Sequence, residues 1–166
     1  GADDLIDRLR LQVGRLDVAP DELAGRNQRS ALFKTMFLAF RAAGARDWRS
    51  NLAISLDHRG TQHRLQFHHF FAKSVLKGRY TSREADDIAN LTFIGGKTNR
   101  SISDKPPAEY VPGIVARQGL TAFEAQCIPT REGLLDVDRF PEFLAERRRL
   151  IAARLNEYLG IETTDL

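Results

Sequence analysis

Apolar residues recur along this chain mostly at helical spacing. Leu5, Ile6, Leu9 and Val13 predict a short helix over residues 4–13. Pro20-Asp21-Glu22-Leu23 reads as a turn or a short helical start. Ser30 is placed to cap a stronger helix reaching about residue 43, with Phe33, Met36, Phe37 and Phe40 as its buried stripe and Gly44 as its stop. Thr81 with Glu84 has the spacing of a capping box and predicts a short helix through about residue 88. Further helices are expected over 97–103, from Pro107, and over 121–126. A long final helix starts at Asp138 or Phe140 and runs to about residue 158, before Gly160. Its Phe143, Leu144, Leu150, Ile151 and Leu155 face a core, and Arg147-Arg148-Arg149 is assigned to its polar side.

Three segments read differently. Residues 52–56 have strand character, Asp57-His58-Arg59-Gly60 a turn, and residues 65–71 a second strand, so the two strands are expected to form a hairpin. Leu91-Thr92-Phe93-Ile94 predicts a third short strand, with Gly95-Gly96 as the turn after it. The expected class is therefore α+β and mainly helical. With 166 residues and no internal repeat, one domain with one core is the simplest organisation.

Composition changes this picture little. No apolar run approaches the roughly 20 residues that a membrane span needs. Cys127 is the only cysteine, which excludes an intramolecular disulfide and a multi-cysteine zinc site. A reducing, cytoplasmic setting follows most simply, with Cys127 a buried bystander thiol. The chain opens on Gly1-Ala2-Asp3-Asp4 without a Met or a secretory pattern, and reads as a fragment of something longer. Charge is more informative. Residues 1–83 hold 15 Lys/Arg against 8 Asp/Glu, and residues 84–166 hold 10 against 14. Residues 58–105 carry 9 basic and 4 acidic side chains, a basic stretch suited to a polyanion such as DNA.

That stretch also holds all four histidines, two of them adjacent. The text reads Phe67-His68-His69-Phe70-Phe71-Ala72-Lys73-Ser74, then Asp87-Ile88-Ala89-Asn90-Leu91-Thr92, then Gly96-Lys97-Thr98-Asn99-Arg100. His69 to Asn90 is 21 positions and Asn90 to Asn99 is 9. The expected order is a strand with the His pair, a loop, Asn before a second strand, a turn, and a helix carrying the last Asn. Neighbours in a strand point to opposite faces, so His68 and His69 are expected to do different work. Asp57-His58 imitates the start of such a site, but 21 positions on from His58 stands Arg79 rather than Asn, so His58 and His63 are assigned to the surface.

This arrangement resembles the ββα-metal fold of HNH nucleases, in the variant whose last ligand is Asn. The run from His68 to Ser74, the segment Ile88-Ala89-Asn90-Leu91-Thr92, the segment Asn99-Arg100-Ser101-Ile102-Ser103-Asp104-Lys105-Pro106, Glu109-Tyr110, and Asp47-Trp48 upstream together resemble the C-terminal HNH domain of GmrSD-type modification-dependent restriction enzymes and of phosphorothioate-sensing antiphage nickases. The resemblance covers about residues 44–112, with the HNH core at about 64–105 inside helical flanks. The family often has Pro where this chain has Ala72, a position that shapes the turn after the His pair.

The resemblance implies a metal-dependent DNA endonuclease, nicking one strand per engagement, in restriction or antiphage defence. Phosphodiester hydrolysis needs a water nucleophile, a base and a cation near the leaving oxygen. By resemblance His69 is the base, and His68 and Asn99 hold one divalent cation, Mg²⁺ or Mn²⁺. Asn90, grouped with the catalytic set as the middle letter of the motif, would brace the loop by hydrogen bonding. Arg100, Lys105 and Lys73 would meet DNA phosphates. The relatives couple this domain to an N-terminal nucleotide-hydrolysing, modification-sensing domain. Gly95-Gly96-Lys97-Thr98 lacks the upstream glycine of a P-loop, so no nucleotide site is expected in this chain. Two other readings compete: a catalytically inactive HNH-fold module that binds nucleic acid, and a helical domain whose His pair is incidental.

Overall fold

A computed structural model describes residues 1–13, 17–54, 56–59 and 62–160. Nine α-helices are present among them: α1 (Ala2–Val13), α2 (Pro20–Leu23), α3 (Ala31–Ala42), α4 (Lys73–Leu76), α5 (Ser82–Ala85), α6 (Gly96–Ile102), α7 (Pro107–Gln118), α8 (Thr121–Glu124) and α9 (Phe140–Tyr158). The described strands form two antiparallel pairs, β1 (Leu56–Arg59) with β2 (Gln62–Leu65), and β3 (His68–His69) with β4 (Leu91–Thr92). The class is α+β and mainly helical. Among the described residues no helix is long and apolar enough to cross a membrane.

Local chemistry explains most helix boundaries. Ser30 Oγ accepts from Leu32 N at 3.1 Å and starts α3, whose Phe33, Met36, Phe37 and Phe40 are all buried. The stop is Gly44, at φ +82°, a left-handed conformation that glycine adopts without strain. Thr81 and Glu84 close a reciprocal capping box on α5. That helix ends sooner than expected, at Ala85, because the Asp87 carboxylate accepts from Ala89 N and starts a separate 3-10 turn, Ile88–Asn90.

The core is built of aromatic rings. Phe33, Phe37 and Phe40 from α3 surround Phe93, with ring centroids 5.1–5.9 Å from it. Phe70 stacks on Phe143 of α9 at 5.0 Å, and Trp48 lies 4.7 Å from Phe123. The indole of Trp48 donates to Ala122 O at 3.2 Å, so the ring is buried without an orphaned N–H.

The strands depart from expectation in three places. Residues 52–54 form no strand beyond an isolated bridge between Ala53 and Arg46. Asp57-His58-Arg59, expected in a turn, lie in β1 and pair with β2, His58 opposite His63; Ser55 and Gly60 lie outside the described residues. The His pair does not join that hairpin. It pairs with β4, His68 opposite Thr92 and His69 opposite Leu91, and the strand ends there because Phe70 and Phe71 turn into the core. The apolar stripe predicted for α1 rests on side chains outside the described set, except for Leu5.

Candidate active site

The His pair sits at the join between this core and the surface. Phe70 and Phe71, 1% and 0% exposed, anchor the strand from below, and His68 and His69 stay half-buried above them. β3 pairs with β4, which leads into α6, with α4, α5 and the 3-10 turn inserted between the two strands, so the pairing brings His68 and His69 to the segment that runs into the helix bearing Asn99.

Asn90 holds the base of that unit together. It is fully buried, and its amide is satisfied at both ends. Oδ1 accepts from Phe71 N at 2.9 Å, while Nδ2 donates to Phe71 O at 3.0 Å and Ala85 O at 2.9 Å. Its backbone carbonyl accepts from Phe70 N at 2.7 Å. An amide is the one side chain that mimics a peptide group on both its edges. Asn90 therefore fixes the two residues that follow His69 and does not itself reach the surface.

Asp47 does the equivalent work for α6. One carboxylate oxygen accepts from Gly95 N at 2.7 Å, and the other from Thr98 Oγ1 at 2.6 Å and from the backbone of Arg49 and Ser50. Burial opposes ionisation of Asp47, but these donors outweigh it and hold the carboxyl below its ordinary range. The same carboxylate exerts its field on His68. Burial, and then the neighbouring His69, push the His68 imidazole below its ordinary value, with Asp47 partly offsetting them. A neutral imidazole is the form that ligates a cation. Asn99, half-buried on α6 beside the Asp47-bound Thr98, offers an amide oxygen. One imidazole and one amide suit a hydrated divalent cation that completes its shell with water and phosphate oxygens. Among the described residues no three His, Cys, Asp or Glu side chains form a closed metal cage.

His69 is engaged differently. Its Nε2 lies 2.8 Å from Asp86 Oδ1, and Lys73 Nζ approaches the same oxygen at 3.1 Å. Burial disfavours the Asp86 charge, yet the bonds from His69 and Lys73 prevail and keep the carboxyl below its usual range. Lys73, expected at a DNA phosphate, is thus held by a carboxylate in the free protein. Arg100 and Lys105 are exposed, and the Arg100 guanidinium folds back over Gly96.

On the other side of α6, Arg49, Lys105 and Arg117 line a cleft of about 540 Å³ floored by Trp48, Ile102 and Ile114. Among the described residues no carboxylate lines it. A second cleft of about 480 Å³ runs along Leu52, Ile54, Phe93 and Gly96, flanking the start of α6 without touching the His pair. Cys127 is buried, its thiol pushed up by burial, and its Sγ faces Leu150 O.

One assignment is overturned. Arg147, placed on the polar side of α9, is 0% exposed. Its Nη1 donates to Ala89 O at 2.8 Å and Leu91 O at 2.6 Å, and its Nη2 to Gln126 O at 3.0 Å. Burial draws the guanidinium down to about 10, so it stays charged at neutral pH. The signal was present in the periodicity: Phe140, Phe143, Leu144, Arg147, Ile151 and Leu155 form one helical stripe, and Arg147 lies on it. Arg148 meets Asp87 Oδ2 at 2.7 Å, and of the three only Arg149 is exposed, paired with Glu146. Asp86 had no comparable signal, because nothing local ties it to a histidine 17 positions away.

No family model matches the chain, and neither a curated protein nor a solved structure matches it.

Proposed function

We propose that this chain is a metal-dependent DNA endonuclease of the HNH type that nicks one strand per engagement. The observation that supports the reading is the pairing of His68-His69 with Leu91-Thr92 just before α6, which brings the His pair to Asn90 and to the segment leading into the helix that bears Asn99. His69 takes the proton from the attacking water through its free ring nitrogen. His68 and Asn99 hold a divalent cation, Mg²⁺ or Mn²⁺, which when bound supplies positive charge at the leaving oxygen. Arg100 and Lys105 bind the flanking phosphates, and Arg49 and Arg117 of the cleft beside α6 extend that contact along the strand. Asn90 and Asp47 keep both halves of the site in register. The resemblance adds a setting in restriction or antiphage defence, with modification sensing assigned to an N-terminal nucleotide-hydrolysing domain.

The test is conversion of supercoiled plasmid to the open circle with Mg²⁺ or Mn²⁺. Wild type should nick, and His69→Ala should lose about 10²- to 10⁴-fold in rate, the usual share of a positioned base. Equal rates for the two would overturn the reading. Salt-sensitive DNA retention without cleavage by wild type would instead support a binding module.

A further inference from the structure

The base reading leaves open which nitrogen of His69 is basic and what decides it. The Asp86 carboxyl is held in its charged form and is then an acceptor only. At 2.8 Å from it, His69 Nε2 must carry the proton. A neutral imidazole has one proton, so the lone pair is on Nδ1. Lys73 Nζ, at 3.1 Å from the same oxygen, is a second donor that holds that carboxylate in its charged form. Lys73 and Asp86 lie in or beside α4 and α5, short helices that follow the His strand and rest on buried Leu76 and Ala85. The carboxylate thus stands on a supported loop, while His69 stands on a strand anchored by Phe70 and Phe71.

We infer that Asp86 is a positioning residue for His69: it holds the ring in the Nε2–H tautomer, aims Nδ1 at the reacting water, and depends on Lys73 to stay in place. This rests on the base reading above, and it adds a residue the His–Asn–Asn pattern does not contain. Outer partners of this kind are commonly worth about 10- to 100-fold in activity.

Two measurements on the full chain separate this inference from the reading it rests on. The first is ¹⁵N imidazole NMR without metal, at about pH 8.5 where imidazoles are neutral, with His69 assigned by comparison with His69→Gln. Wild type should show His69 protonated at Nε2. Asp86→Ala should show a mixed or reversed tautomer, and Asp86→Glu, which keeps a carboxylate, should restore the Nε2–H form. The second is nicking kinetics: Asp86→Ala should lower kcat about 10- to 100-fold with KM little changed, and Asp86→Glu should recover part of it. Asp86 is 43% exposed at the end of a helix, so the alanine variant should fold, as circular dichroism would check. An unchanged His69 tautomer in Asp86→Ala would overturn the inference, as would an unchanged kcat in a nicking protein. If wild type fails to nick, the nuclease reading falls, and the tautomer spectrum still decides the role of Asp86.

Discussion

Two asparagines nine positions apart show how differently the two halves of this site are built. Asn90 is buried and spends both ends of its amide on backbone partners. Asn99 is half-exposed on α6, with a side chain that makes no hydrogen bond within the described residues. The difference extends to their surroundings. Beside Asn90, Arg147 donates to the carbonyls of Ala89 and Leu91 and Asp87 accepts from Ala89 N, whereas the Asn99 amide and the half-buried His68 ring are left at the surface of a framework that Asp47 and Thr98 hold. A buried polar group left without partners is costly, so the interior half is specified by folding alone. An outward-facing polar group stands ready for something the fold does not supply.

Stability measurements can break that contrast. The largest effect is expected from Arg147→Ala, which leaves the carbonyls of Ala89, Leu91 and Gln126 without their donor and should cost about 4 kcal/mol in urea unfolding. A loss under about 1 kcal/mol would mean that the clamp is incidental. Next is the asparagine pair itself: Asn90→Ala should cost about 3 kcal/mol, and Asn99→Ala should stay within about 0.5 kcal/mol while abolishing metal-dependent nicking. Similar costs for the two would erase the distinction.

A pH-dependent effect concerns Asp47, which belongs to both halves. Its folded-state carboxyl is held below the ordinary value of 3.8. Its contribution is therefore complete above that value and fades as pH falls through the native one. Asp47→Asn should be less stable than wild type at neutral pH by about 2 kcal/mol, and the gap should narrow on acidification below about pH 4. A gap that widened with acid would contradict the sign.

The helices were largely legible because their causes are local. Ser30, Gly44 and the Thr81–Glu84 box act within a few residues, and the sequence displays them directly. The strand at Leu91-Thr92 was legible, but the expected hairpin of residues 52–56 with 65–71 was not formed because pairing is non-local: nothing near Leu52 says that His68 will choose Thr92 as its partner. Arg147 was misread because charge was weighed above periodicity, although the apolar stripe of α9 runs through it. Within the candidate site, the His pair and the asparagines were visible as spacing. Asp86 was not, since its bond to His69 is made by the fold and not by a motif.

The Arg147 clamp also sets an order of assembly. It joins α9 to the segment carrying Asn90 across 58 residues of chain. During synthesis the His pair, both asparagines and Asp86 leave the ribosome before the residue that fastens the strand beneath them. Contacts of such separation form late, after the loop between them has been closed. A nascent or truncated chain lacking α9 thus bears every proposed catalytic group without the clamp beneath them. Any activity proposed for the site therefore waits on Arg147, in the first half of α9.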